Sequence, residues 1–410
     1  MKIPYHLLIV SIIALAGCGS TRNASTYRPA PVESDTSIIP KVVIPKEAPP
    51  IEIEEEKNYR YETEPLKISL LLPLNIKSGQ YRMADVIADY YEGILLGIDS
   101  LQNMGISIEL NVFDTKSDSA TVKKLTWKQE LQESDVIIGP TFKQGHAILL
   151  PFAKARKIAL VSPFSNANMW SDSNHYALYC TPDENAFATA LANTISEKYP
   201  NAKLILFNDN TKDDKDFIWR FKVAARKLDI SNWVDITYKS GWNIEPHLKK
   251  SDSALNIIIA PTDNARVALQ LITQLKDPEI NNILFVRDSW LSFNNVGYQS
   301  YLLWEQNNLH VLSHYFVDQH EKTVMRFKGL YKEKYSSIPD EFAYRGFDHI
   351  LAIGNAYMKT LEDEPVADVI PKNKFQGLHN NFNFEFNGKA LENQSVNVMR
   401  FTNYRFLRVK

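Results

Sequence analysis

Cysteine is nearly absent from this sequence, and much else that would assign a chemistry is absent with it. Only Cys18 and Cys180 occur in 410 residues, so no disulfide framework staples a folded part, and stability has to come from a buried core. Charge of one sign is not collected into large blocks. The 46 Lys and Arg nearly balance the 48 Asp and Glu, for a net charge of −2, which offers no basic run to a phosphate backbone and makes a nucleic-acid partner unexpected. The phosphate-cradling G-x4-G-K-S/T, the zinc-binding H-E-x-x-H and the nucleophile elbow G-x-S-x-G are all missing, so neither an enzyme nor a cofactor is expected. His310 and His314 sit four apart in an expected strand, with His320 beyond. No third ligand can be placed, and a surface pair rather than a metal site is expected.

What is present is enough apolar residue, 44% of the chain, for two packed cores. The apolar run Leu7 to Ala16 follows Lys2 and is too short to span a bilayer but the right length for a signal-peptide core. It ends in Leu15-Ala16-Gly17-Cys18, which resembles the lipobox of bacterial lipoproteins. That resemblance implies a signal peptide over residues 1–17, a diacylglycerol on Cys18 and a membrane contact through that lipid. Gly19 and Ser20 lack the Asp that holds many lipoproteins in the inner membrane, which points to the periplasmic side of the outer membrane. Residues 18–61 are rich in Pro, Ser and Glu, with an acidic run from Glu52 to Glu56, and read as a disordered tether. Cys180, in Tyr176-Ala-Leu-Tyr-Cys180, reads as a buried, inert strand thiol.

From Leu66 onward strands alternate with helices, the pattern of parallel-sheet α/β folds. Leu66–Leu72, Ile106–Phe113, Val136–Gly139, Ile158–Val161, Lys203–Phe207, Leu255–Ala260 and Ile283–Val286 read as strands, several of them fully apolar, as sheets covered on both faces require. Helices are expected after each strand, with the apolar stripe Ile87, Tyr90, Tyr91, Ile94, Ile98, Leu101 marking the first. Thr181-Pro-Asp-Glu184 reads as a capping box. A helical pair is expected over 322–335 and 342–361, with Phe327, Tyr331 and Tyr335 as core residues. Closing strands from Phe375 carry a turn at Asn387-Gly388.

Several segments in order resemble the type I periplasmic binding proteins, in particular the branched-chain amino-acid branch. They are Ile137-Ile-Gly-Pro140, Val161-Ser162-Pro163, the series Phe327, Tyr331, Tyr335, Pro339 before Gly346-Phe347-Asp348, and Phe375-Gln-Gly-Leu378 with Phe384 to Gly388. The resemblance covers 66–410 and implies an α/β fold of two Rossmann-like lobes with parallel sheets and an interlobe cleft. The first lobe would hold about 66–180 and 317–365, the second about 181–316 and 366–410, so that 62–410 forms one binding domain. Open parallel sheets bind ligands at the carboxyl ends of their strands, which nominates Asn75, Lys143, Ser162, Ser165 and Asn166 in the first lobe. Asp263, Asp288 and Trp290 are nominated in the second.

The residues that hold an amino acid in that branch are largely replaced here: Lys143, Phe164 and Asn166 stand where hydroxyl and small residues are expected. Two functions compete. One is a solute-binding lipoprotein that closes on a small polar ligand. The other is a regulatory or scaffolding lipoprotein that keeps the fold and contacts an envelope protein, as in the outer-membrane lipoproteins of this family that activate penicillin-binding proteins.

Overall fold

The computed structural model describes residues 58–75, 81–166, 173–200, 202–250, 255–293 and 298–409. The expected signal peptide, Cys18 and the tether up to residue 57 lie outside them. The last residues assigned to the tether are already part of the fold: Tyr59 bridges to Leu361, and the Arg60 guanidinium pairs with Asp135 at 2.7 Å. No helix among the described residues is long and apolar enough to cross a membrane.

The first lobe opens with β1 (Leu66–Leu72), α1 (Tyr81–Asn103), β2 (Ile108–Asp114), α2 (Ser119–Leu125), α3 (Gln129–Gln132), β3 (Val136–Ile138), α4 (Lys143–Arg156), β4 (Ala159–Ser162) and β5 (Ala177–Tyr179). The chain then builds the second lobe from α5 (Glu184–Lys198), β6 (Lys203–Asn208), α6 (Lys212–Arg226), β7 (Trp233–Thr237), β8 (Asn256–Ala260), α7 (Ala265–Gln274), β9 (Asn282–Arg287), α8 (Tyr298–Gln306) and β10 (His310–Ser313). It returns to the first lobe with α9 (Lys322–Tyr335), α10 (Glu341–Tyr357), α11 (Val366–Val369), the small hairpin β11 (Phe375–Gln376) and β12 (Asn381–Phe382), then β13 (Phe384–Phe386) and β14 (Leu391–Asn393). Last come β15 (Asn397–Thr402) and β16 (Arg405–Arg408) in the second lobe.

Each lobe carries one seven-stranded sheet, ordered β13-β14-β5-β4-β3-β1-β2 and β16-β15-β10-β9-β8-β6-β7. All pairings within these two sheets are parallel except β13 on β14 and those made by β15. The central strands are buried on both faces rather than at alternate residues. Ile68, Ile137, Leu160, Ile205 and Ile258 are all fully covered, because helices lie on each side.

The C-terminal segment corrects the expected lobe boundary. β14 pairs with β5 in the first sheet, and α11 buries Val366, Ala367 and Val369 in the first lobe's core, so residues 366–393 belong to the first lobe. Only β15 and β16 return to the second. The Asn387-Gly388 turn forms as expected, with Gly388 at φ +92°. The capping box shifts by two residues: Asp183, not Thr181, caps α5 by accepting from the backbone N–H groups of Asn185 and Ala186. His310 also departs from its expected surface position. It is buried, with its ring 4.8 Å from that of Phe285, because β10 is an interior strand of its sheet.

Candidate ligand-binding cleft

The chain passes between the lobes three times, and each passage leaves a strand at the carboxyl edge of a sheet. β5 runs out through Cys180 to Asp183 into α5, and β10 runs out through His314 toward α9. β14, parallel to β5, runs out through Gln394 to Val396 into β15. Since β15 is antiparallel to β10, it starts beside the end of β10. The carboxyl edges of the two sheets are therefore joined by one three-stranded seam, which is where ligands of open parallel sheets bind.

On the first lobe's rim, Gly139 has φ +90°, and a Cβ there would stand 2.3 Å from the Leu71 carbonyl oxygen. Only glycine permits this close turn out of β3. It delivers Lys143, exposed, as the first residue of α4. At the end of β4 the Ser162 and Ser165 hydroxyls lie 2.7 Å apart, with Asn166 half-buried beside them. Phe164 does not stand over this rim. Its ring packs edge-on against Tyr90 at 4.8 Å and Phe342 at 5.5 Å. Asn75 is exposed, and its backbone N–H reaches Asp114 Oδ1 at 3.4 Å.

The second lobe's rim is a charged network. Arg287, at the end of β9, pairs with Glu184 through Nη2 at 2.9 Å and approaches Asp263 at 3.8 Å, with its guanidinium 4.9 Å above the Phe217 ring. Ser289 donates to Asp263 at 2.5 Å. Thr262 donates to Asp209 at 2.8 Å, and the Asp209 N–H donates to Asp214 at 2.9 Å. Burial first and the neighbouring Asp209 carboxylate raise the Asp214 pKa to about 7, against the lowering effect of the Asp209 N–H and a smaller pull from Arg287. Burial also raises Glu184, opposed by Arg287.

Asp288 faces the seam. It accepts from Ser313 Oγ at 2.7 Å and lies 3.7 Å from His314 Nδ1. On its other side His314 Nε2 is 2.7 Å from Arg345 Nη2, and Arg345, on α10, also pairs with Glu341. Burial lowers the His314 pKa, and Arg345 adds to the effect, so the imidazole accepts the guanidinium N–H in its neutral form. Below this, Asp348 receives the backbone N–H groups of Leu378 and His379, each at 2.8 Å, and His379 Nδ1 at 2.5 Å.

Trp290 is turned away from the rim. It is 2% exposed, its Nε1–H donates to the Thr262 carbonyl at 2.9 Å, and its ring belongs to the same apolar cluster as Trp304. Its large apolar surface gains more from that core than from the wet rim. The structure thus brings together Ser162, Ser165 and Asn166 on one rim and sets Asp263 beside Arg287 on the other. It places Asp288 at the seam, with Lys143 at the start of α4 and Asn75 on the loop after β1. Arg287, Glu184, Asp209, Asp214 and Arg345 were not among the nominated residues. The strand-end rule pointed to the loops of Arg287 and Asp209, whereas Arg345 lies inside a helix and carried no such signal.

The sequence model of the family described as "Periplasmic binding protein" matches residues 65–404. The chain belongs to the periplasmic binding protein family. Its two sheets and crossings are those of the type I fold. Among solved structures, the ABC transporter substrate-binding protein from Desulfitobacterium hafniense superposes with a TM-score of 0.51 at 16% identity, covering 84% of this chain and 100% of that one. The C-domain of LpoA (YraM) from Haemophilus influenzae, a regulator of PBP1A, gives 0.56 at 14%, covering 84% and 99%. Full-length LpoA from the same organism gives 0.57 at 13%, covering 86% of this chain and 60% of its own. Such identities show a shared fold. No curated protein matches the sequence. The family is one of binding proteins, and among the described residues of this chain no group of three or more side chains is placed to hold a metal ion.

Proposed function

We propose that this is a lipid-anchored binding protein of the bacterial envelope that holds a small polar solute between its lobes. The observation that carries this reading is the seam itself: three crossings join two rims rich in hydrogen-bonding groups, so that closing the lobes brings Ser162, Ser165, Asn166 and Lys143 toward Asp263, Asp288 and Arg287. The anchor is Cys18, and the outer membrane's periplasmic leaflet is its site. Metabolic labelling with palmitate should mark the wild-type chain and not Cys18→Ser; equal labelling of both removes the anchor from the reading.

The solute is tested by thermal melting against a metabolite panel. A ligand at a hundred times its dissociation constant adds about 2.7 kcal/mol to folding stability, enough to raise Tm by several degrees. Leucine, isoleucine and valine should give no shift, because the groups that hold an amino acid in the branched-chain branch are replaced. Another polar solute should give one, and Ser165→Ala or Lys143→Ala should remove it. A panel without any hit, together with native mass spectra free of adducts, overturns the solute reading.

A second reading is that the domain regulates a cell-wall enzyme through protein contact. Its support is the fold shared with the LpoA C-domain, a PBP1A regulator, and a second-lobe rim whose charges already satisfy one another. Failure of every solute with co-purification of a cell-wall synthase is its expected signature.

A further inference from the structure

α2 and α4 lie side by side on one face of the first sheet and share an apolar seam in which Val122 and Leu125 join Leu149, Leu150 and Ala153. Each helix follows a parallel strand and runs back toward the amino edge, so their last turns lie at the same end of the layer. Those turns are basic: Lys123 and Lys124 end α2, and Lys154 and Arg156 end α4. Lys128 and Lys157 follow directly, and all six are exposed. Trp127, between Lys124 and Lys128 in sequence, is 79% exposed, an extreme position for a side chain of that apolar area. Lys128 lies 5.7 Å from the half-buried Phe113 ring and Arg156 lies 4.5 Å from that of Phe152.

The charge at the α2 end is not cancelled within its own stretch of chain, whereas Arg156 and Lys157 at the α4 end share a cavity with Glu362, Asp363 and Glu364. Residues 115–157 hold eight Lys and Arg against four acids. Asp135 is paired with Arg60, Glu133 with Lys67, and Asp118 is spent capping α2. None of the six basic residues at the helix ends makes an ion pair among the described residues. Sequence alone hid this, because two segments separated by β3 supply the charges.

We infer that this end of the α2–α4 layer docks on an anionic lipid surface. Five of the six charges are lysines, compact point charges that suit diffuse, mobile headgroups, whereas docking on a fixed carboxylate pattern favours the bidentate fork of arginine. An exposed tryptophan among lysines is the composition of an interfacial contact, with the indole at headgroup depth and the ammonium groups reaching the phosphates. The contact is separate from the lipid on Cys18 and independent of whether the cleft holds a solute.

The test uses the chain from residue 18 carrying Cys18→Ser, so that no acyl chain contributes, in co-sedimentation with vesicles of phosphatidylcholine with and without phosphatidylglycerol. Binding is expected only with phosphatidylglycerol and should disappear at high salt. The triple variant Lys123→Glu, Lys124→Glu, Lys128→Glu should bind at least about tenfold more weakly, with an unchanged melting temperature showing that it folds. Brominated lipid should quench the protein's fluorescence, and Trp127→Phe should abolish the quenching. Equal binding of wild type and triple variant, or binding to a soluble acidic polymer without binding to anionic vesicles, overturns the inference.

Discussion

Asp214 shows how one carboxyl records its surroundings. It is 3% exposed and near both Asp209 and Arg287, and its pKa rises from 3.8 to about 7 because burial, with the Asp209 charge behind it, outweighs the lowering effect of the Asp209 backbone N–H. Below about pH 4 the folded and unfolded chains both hold this proton. Between about 4 and about 7 only the folded chain holds it, so stability from this group falls as pH rises through that window. Asp214→Asn, which retains an acceptor for the Asp209 N–H, should flatten this slope and gain on the order of 2 kcal/mol at pH 8. Urea midpoints of both proteins across pH 4 to 8 measure it; parallel curves would show that Asp214 ionises normally.

Helices α1 and α10 pack closely because glycines remove side chains where their backbones meet. A Cβ on Gly346 would stand 2.2 Å from the Tyr90 carbonyl oxygen, and one on Gly93 would stand 2.0 Å from that of Ala343. Gly346→Ala should therefore cost about 1 to 3 kcal/mol by forcing the helices apart. Gly329→Ala, on α9 with open space around it, should instead gain about 0.5 to 1 kcal/mol from helix propensity. Denaturant midpoints compare the two, and a neutral Gly346→Ala would contradict the close approach. The tight packing was not readable from spacing, although the helices were: the 322–335 helix matched its periodicity to the residue, with Phe327 and Tyr331 buried as expected. Apolar strands such as Leu66–Leu72 were equally legible. β7 was not among the expected strands, and the bounds of α6 were harder to see because it opens on a run of charged residues, Lys212 to Asp216. At the cleft, the strand-end rule found the loops but not side-chain direction. Trp290 turns inward because an apolar cluster beneath the loop receives it, and no local pattern records what lies beneath a loop.

At the scale of the whole molecule, the seam makes the lobes depend on each other's chain. The first sheet is interrupted after β5 and resumed at β14, so Leu178 pairs beside Leu391, and everything that builds the second sheet's parallel part is made in between. The second sheet in turn waits for β15 beside β10. Neither sheet is complete until the last tenth or so of the chain has arrived, and contacts so distant in sequence slow folding. A chain that enters its folding compartment N-terminus first therefore holds two unfinished sheets with open edges until the end. Those edges are the surfaces on which strands of other chains add. The final residues thus decide not which lobe forms first but whether either can close itself off from its neighbours while the chain is still emerging.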